Sequence, residues 1–264
     1  PKAGLLGRLG FSPVEAAIMR KDFRAFTRRR ELMYIFIMPM VFAMVPLLSS
    51  MRGVAAASLP PAFYTFLFAY LTLLLGTLMA IVLGSSIIGS EGGNIWYVYS
   101  SPISAKSLVK AKYFFTTLFS FVITLICFFV GVFLTSPSMR MAIVGLTEAI
   151  LLIFSLGMVS LTFGIRGADF RELPRPRMIR PMWGFINGIV CLLLALAIIS
   201  PIIPYGLEVL LRNIPGPAVI SISLPESYLY VALSLSGAIA SIVTYAFHRI
   251  AVKNTEEFLL RAEA

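Results

Sequence analysis

Charge is scarce in this sequence. Only 13% of its 264 residues are Asp, Glu, Lys or Arg, against the roughly 25% that a soluble domain carries. That is too little to cover a globule of this size, so lipid must be the solvent for much of the surface. Histidine is represented once, by His248, which leaves no set of imidazoles for a metal. The two cysteines, Cys127 and Cys191, lie in long apolar runs without ligand-spaced partners. They read as small apolar residues rather than as a disulfide or a metal site. No Gly-x-x-x-x-Gly-Lys-Ser/Thr stretch occurs, so the usual cradle for nucleotide phosphates is missing. Serine-protease, zinc and phosphotransfer signatures are absent too. No catalytic residue, cofactor or metal is expected from these absences.

What is present is apolar: 59% of residues are hydrophobic and the mean hydropathy is +0.92. A helix rises about 1.5 Å per residue, so about 20 apolar residues cross a hydrocarbon core about 30 Å thick. Six stretches qualify: 32–49, 62–88, 113–135, 142–165, 182–203 and 228–247. They lack the alternation of barrel strands, and helices satisfy their own backbone amides. Lys and Arg distinguish the two sides. Segments 1–31, 89–112, 166–181 and 248–264 hold nineteen of the 22, and loops 50–61, 136–141 and 204–227 hold one each. The richer side is cytoplasmic by the positive-inside rule. The expected fold is therefore an all-α membrane protein in the cell membrane, a six-helix bundle with both termini cytoplasmic. Its parts are a basic segment 1–31, a six-span unit 32–247 and a cytoplasmic tail 248–264. The net charge of +10 then reflects topology and anionic lipid headgroups, and no nucleic-acid partner is expected. Thirty polar and basic residues precede the first apolar run, which argues against a cleavable signal peptide. Proline at position 1 suggests a trimmed chain or a piece of a longer one.

Segment 12–31 has a helix start signal, with Ser12 as N-cap, Pro13 in the first turn and Glu15 closing a capping box. Met19, Phe23 and Phe26 form one apolar stripe, with Arg20, Lys21, Arg24 and Arg28 largely away from it. Such a helix lies in the headgroup plane or serves as a basic anchor. In loop 89–112, Gly92 and Gly93 break the second span, and Trp96, Tyr97 and Tyr99 suit the membrane interface. Ser101 and Pro102 read as the cap and first turn of the next helix. The aromatics are either interface anchors or a docking surface for a soluble partner.

The run Glu91-Gly92, then aromatic and apolar residues, then Ser-Pro-Ile-Ser with Lys112 ten residues beyond Pro102, resembles the loop between spans 2 and 3 of ABC transporter permease subunits of the type-2 exporter class. The stretch 166–181, with Gly-Ala-Asp-Phe-Arg-Glu-Leu-Pro-Arg-Pro-Arg, is similar to the Gly…Phe-x-Glu-x-x-Pro-Arg stretch of a prokaryotic ABC permease family. The basic helix at 13–31 resembles the elbow helix of that class. The resemblance implies a permease subunit of an exporter that is not itself an enzyme, with two copies of a separate ABC ATPase subunit supplying hydrolysis. It implies a second permease half, by homo- or heterodimerisation, and membrane lipids as further partners. By matching position, Glu91, Gly92, Tyr97, Pro102 and Lys112 belong to an ATPase-coupling loop, with Asp169, Phe170 and Glu172 in a second contact.

Glu148 is the one acid within a span, about six residues or roughly 9 Å from the outer end of its helix. It reads as a neutral or hydrogen-bonded group, a residue lining a substrate path, or a proton relay. Asn187 reads as interhelical glue or a pathway residue. Small residues at Gly184 and Gly188, and at Ala232, Ser236 and Ala240, suggest close helix packing. The outer segment 204–227 suggests a short re-entrant or interfacial helix pair. Two rival readings are a secondary transporter or channel and a membrane scaffold. A membrane protease fits poorly, because Glu256, Glu257 and Arg261 lie in a polar tail without intramembrane histidines.

Overall fold

The computed structural model describes residues 7–8, 10–28, 41, 61–99, 103–170, 178–212 and 224–260. Helix α1 (Pro13–Arg28) starts where its sequence directs. The Ser12 backbone N–H donates to Glu15 Oε2 at 2.8 Å, and the Glu15 N–H donates to Ser12 Oγ at 3.2 Å. The expected capping box is formed. Met19 and Phe26 of the apolar stripe are buried, whereas Phe23 is exposed.

The next rod runs through α2 (Pro61–Ala69), a π-helical turn (Tyr70–Leu74) and α3 (Leu75–Ser86). It ends at a 3-10 turn, Gly89–Ile95, followed by the single turn α4 (Trp96–Tyr99). Helix α5 (Ala105–Thr135) follows. Its cap is Ser104, whose Oγ accepts from the Ser107 N–H at 3.2 Å. The cap therefore stands three residues past the expected Ser101, and α5 begins eight residues before the expected span. Ser136, with φ of +44°, turns the chain into α6 (Met139–Arg166), capped by Ser138. After the isolated bridge Ala168–Ile179 come α7 (Pro181–Ile199), a 3-10 turn Ser200–Ile202, α8 (Ile203–Arg212) and α9 (Glu226–Leu260).

Five of these helical stretches are long and apolar enough to cross a membrane: Tyr64–Ser86, Ala105–Thr135, Met139–Arg166, Pro181–Leu211 and Ser227–Leu260. The expected first span, 32–49, lies outside the described residues except for Val41. Helix α6 is central, packing on α3, α9, α7 and α5. A Cβ on Gly164 would stand 2.6 Å from the Ser85 carbonyl oxygen, and one on Gly84 2.9 Å from Ser160 Cβ. These glycines bring α3 and α6 into backbone contact. The expected pair Gly184 and Gly188 does not act this way, since Gly188 has no neighbour within 4 Å. Ala232, Ser236 and Ala240 are buried, with Ala232 and Ala240 packed in clusters that include α6 residues. The perimeter carries large exposed apolar side chains, among them Phe133 of α5, Leu192 and Leu193 of α7 and Ile242 of α9. Such a surface is at home in lipid.

Two further differences concern the ends of elements. Helix α9 continues through the expected boundary at 247 to Leu260, and Ala251, Val252 and Thr255 are buried. The expected tail is thus helical as far as Leu260, with Leu259 packed against the core and Leu260 exposed. In the segment 204–227 the described residues hold α8 and the first two residues of α9, and 213–223 lie outside them.

Candidate functional site

The apolar stripe of α1 directs that helix against α5, and this contact brings four charges together. Lys112 of α5 is 1% exposed. Its Nζ donates to Asp22 Oδ1 at 2.8 Å and to Glu91 Oε1 at 2.5 Å. Glu91 also accepts from Lys21 Nζ through both carboxylate oxygens, at 2.7 and 2.6 Å. Two cations and two anions thus join α1, the 3-10 turn and α5. Asp22 Oδ2 has no hydrogen-bond partner among the described residues.

The backbone sets this up. Gly92 adopts φ +54° and ψ −138° inside the turn, a conformation that side chains disfavour. Gly89 lies so close to the backbone of Met178 that a Cβ there would collide with its carbonyl. The turn carrying Glu91 is therefore wedged between α1 and the segment after α6. A second latch holds the start of α1. Lys110 Nζ donates to Glu15 Oε2 at 3.2 Å and to the Gly10 carbonyl at 2.9 Å, and it sits 4.7 Å above the Phe11 ring.

Electrostatics separates the carboxyls. Burial pushes Glu91 up, but Lys112 and then Lys21 outweigh it and hold the carboxyl at about 2. Burial dominates at Asp22 and raises it above the ordinary value, against the pull of Lys112 and with a further push from Glu91. At Glu15 burial is outweighed by the Ser12 N–H and Lys110, so the carboxyl is lowered. The arrangement is a buried ionic joint suited to holding and transmitting position. It offers no nucleophile with an adjacent base.

Of the expected coupling residues, Glu91 and Lys112 form a direct ion pair, and Gly92 supplies the turn between α3 and α4. Asp169 and Phe170 lie on the neighbouring segment, where the Asp169 N–H donates to the Met178 carbonyl at 3.4 Å. Phe170 and Tyr99 both pack on Phe258 of α9, with centroids 5.9 and 5.2 Å apart. Pro102, Glu172 and the side chain of Tyr97 lie outside what is described. Glu148 and Asn187 are remote from the joint. Asn187 Oδ1 accepts from Ser160 Oγ at 3.2 Å, tying α7 to α6. Sequence reasoning missed Asp22, and it placed Lys21 only among the cations lying away from the apolar stripe. The available signal was Asp22 itself, an acid set among Arg20, Lys21 and Arg24 beside an apolar stripe.

A chain whose described residues form helices, five of them long and apolar enough to cross a membrane, with a buried ionic joint at one end, belongs to the class of helical membrane-type bundles. The profile of a family described as “Putative ATP-binding cassette” matches residues 3–253, and the chain belongs to that family. The matched stretch includes four of the five apolar helices whole and the fifth as far as residue 253. No curated protein and no solved structure matches the chain. The family assignment corrects three expectations. The match is to an ATP-binding cassette family and not to a permease family, which overturns the resemblance to type-2 exporter permeases. With it falls the reading of the chain as an exporter's permease subunit. The expectation of a non-enzyme that leaves hydrolysis to a separate chain falls on the same finding.

Proposed function

We propose that this ATP-binding cassette family member works within a membrane, and that ATP-linked conformational change passes through the joint formed by Lys21, Asp22, Glu91 and Lys112. The observation that carries the reading is Lys112, a fully buried cation clamped between an amphipathic helix and a glycine-broken turn. Two buried acids hold three elements to one point, so a displacement of any one is felt by the others. The basic ends of the helices face the cytoplasm in this reading, as the distribution of Lys and Arg favours. Glu91, Gly92, Tyr97, Pro102 and Lys112, with Asp169, Phe170 and Glu172, then form the coupling surface. A second membrane half and anionic lipids are its partners.

The test is ATP hydrolysis by the assembly purified through a tag on this chain and reconstituted in lipid. Glu91→Lys places three cations together and is expected to lower hydrolysis at least several-fold while leaving membrane insertion intact. Unchanged hydrolysis and unchanged complex yield would show that the joint has no coupling role.

A further inference from the structure

Beside the ionic joint, α1 and α5 border an open groove of about 530 Å³ whose lining is almost wholly apolar. Its floor is Phe114, Leu118 and Val122, which recur every fourth residue and so share one stripe of α5. Met19 and Phe23 of α1 form the facing wall. The helices are held together there by rings, with Phe119 centred 4.8 Å from Phe26 and 6.1 Å from Phe23. Phe23, Leu118 and Val122 are exposed.

The polar edge of this groove is cationic. Arg20 and Arg24, one turn apart on α1, line it, and both also line the adjoining hollow with Lys21 and Arg28. Among the described residues no carboxylate lines either hollow. The two acids of α1, Glu15 and Asp22, are buried and bound to Lys110 and Lys112. Asp22 falls between the two arginines in the chain, so its pairing with Lys112 sets them near the depth of the joint. The apolar stripe of α5 begins two residues beyond Lys112 and runs on for about 12 Å.

We propose that this groove binds one anionic phospholipid, its phosphate against Arg20 and Arg24 and an acyl chain along Phe114, Leu118 and Val122. Charge complementarity and shape select this occupant. A guanidinium presents a fork of donors that matches phosphate oxygens. A soluble anion gains nothing from the apolar floor, and a wholly apolar occupant gains nothing from the two cations. A zwitterionic lipid brings its own positive charge to a basic edge. The inference rests on the reading that the chain works within a membrane, and it does not depend on ATP coupling.

The test uses the full chain with its two tryptophans, Trp96 and Trp183, changed to Phe and one reporter tryptophan introduced per variant. Phe23→Trp reports on the groove. Phe185→Trp, exposed on α7 at the same end of the bundle, reports on the general lipid surface. Each variant is placed in phosphatidylcholine nanodiscs in which a rising share of lipid is acyl-brominated phosphatidylglycerol or acyl-brominated phosphatidylcholine. Bromine quenches a tryptophan that it touches. At Phe23→Trp, half-quenching is expected at a share of the anionic lipid at least about fivefold below that of the zwitterionic one, as one basic side chain near an anionic surface provides. Adding Arg20→Gln and Arg24→Gln is expected to reduce this preference to that of Phe185→Trp. Equal preference at the two reporters would overturn the site, as would a preference that survives the arginine changes. Quenching at Phe185→Trp with none at Phe23→Trp would overturn it too, because protein then fills the groove. No quenching at either reporter would instead remove the membrane reading, and the site with it. If Phe23→Trp fails to fold, Leu118→Trp replaces it with the same outcomes.

Discussion

Lys112 shows how one residue sets the character of the joint. Taking an ammonium group out of water costs several kcal/mol, and two carboxylates offset that cost only while both stay in place. Replacing Lys112 with Met removes the cation and strands Asp22 and Glu91 in a buried site. A loss of about 3–5 kcal/mol is expected, measurable as a lowered thermal midpoint of the purified protein. Glu91 gives a pH signature of defined sign. Its carboxyl falls from an ordinary 4.5 to about 2 in the folded chain, so its contribution is complete above about pH 4.5. That contribution fades as pH falls through 2. Asp22 has the opposite sign, because its raised carboxyl is relieved on acidification. Glu91→Gln is therefore expected to flatten the acid loss of stability between pH 4.5 and 2, as read by midpoint against pH. An undiminished acid loss in that variant would refute the assignment. The loop position of Glu91 was legible in the sequence, but Lys112 lies within α5, and its pairing with Asp22 was not legible. Asp22 and Lys112 are 90 residues apart, and no local spacing encodes a contact made by folding.

At the scale of elements, legibility followed the locality of the signal. The Ser12–Glu15 capping box is closed within four residues, and it could be read directly. The start of α5 could not, because Ser101 and Ser104 are both competent caps and only the folded chain selects Ser104. The π-helical turn at Tyr70–Leu74 has no composition of its own and was invisible. Small residues were read by spacing, which marked Gly184 and Gly188. The close approaches actually fall at Gly84 and Gly164, where α3 meets α6. Gly164→Ala presses a methyl toward the Ser85 carbonyl and is expected to cost about 1–3 kcal/mol. Gly188→Ala, with nothing nearby, should be close to neutral. Thermal midpoints of the two variants in one detergent check this difference, and equal midpoints would contradict the packing.

For the whole molecule, hydropathy was informative because lipid imposes a length on every helix that crosses it. Of the six spans expected from that rule, five are apolar helices among the described residues, and 32–49 lies outside them but for Val41. The large exposed side chains on α5, α7 and α9 face where lipid would be. Function was less legible. Loop motifs pointed to a permease class, whereas the family match is to an ATP-binding cassette. A few loop residues shared across related systems do not determine which component a chain is. The central claim is that the bundle spans a membrane with its ionic joint on the cytoplasmic side. Cysteine accessibility tests it most directly, after the buried Cys127 and Cys191 are replaced by Ala. A cysteine at Ser138, between α5 and α6, is expected to react with an impermeant maleimide in intact cells. One at Ser104, beside the joint, should react only after permeabilisation. Labelling of Ser104→Cys in intact cells, with Ser138→Cys protected, would contradict the account.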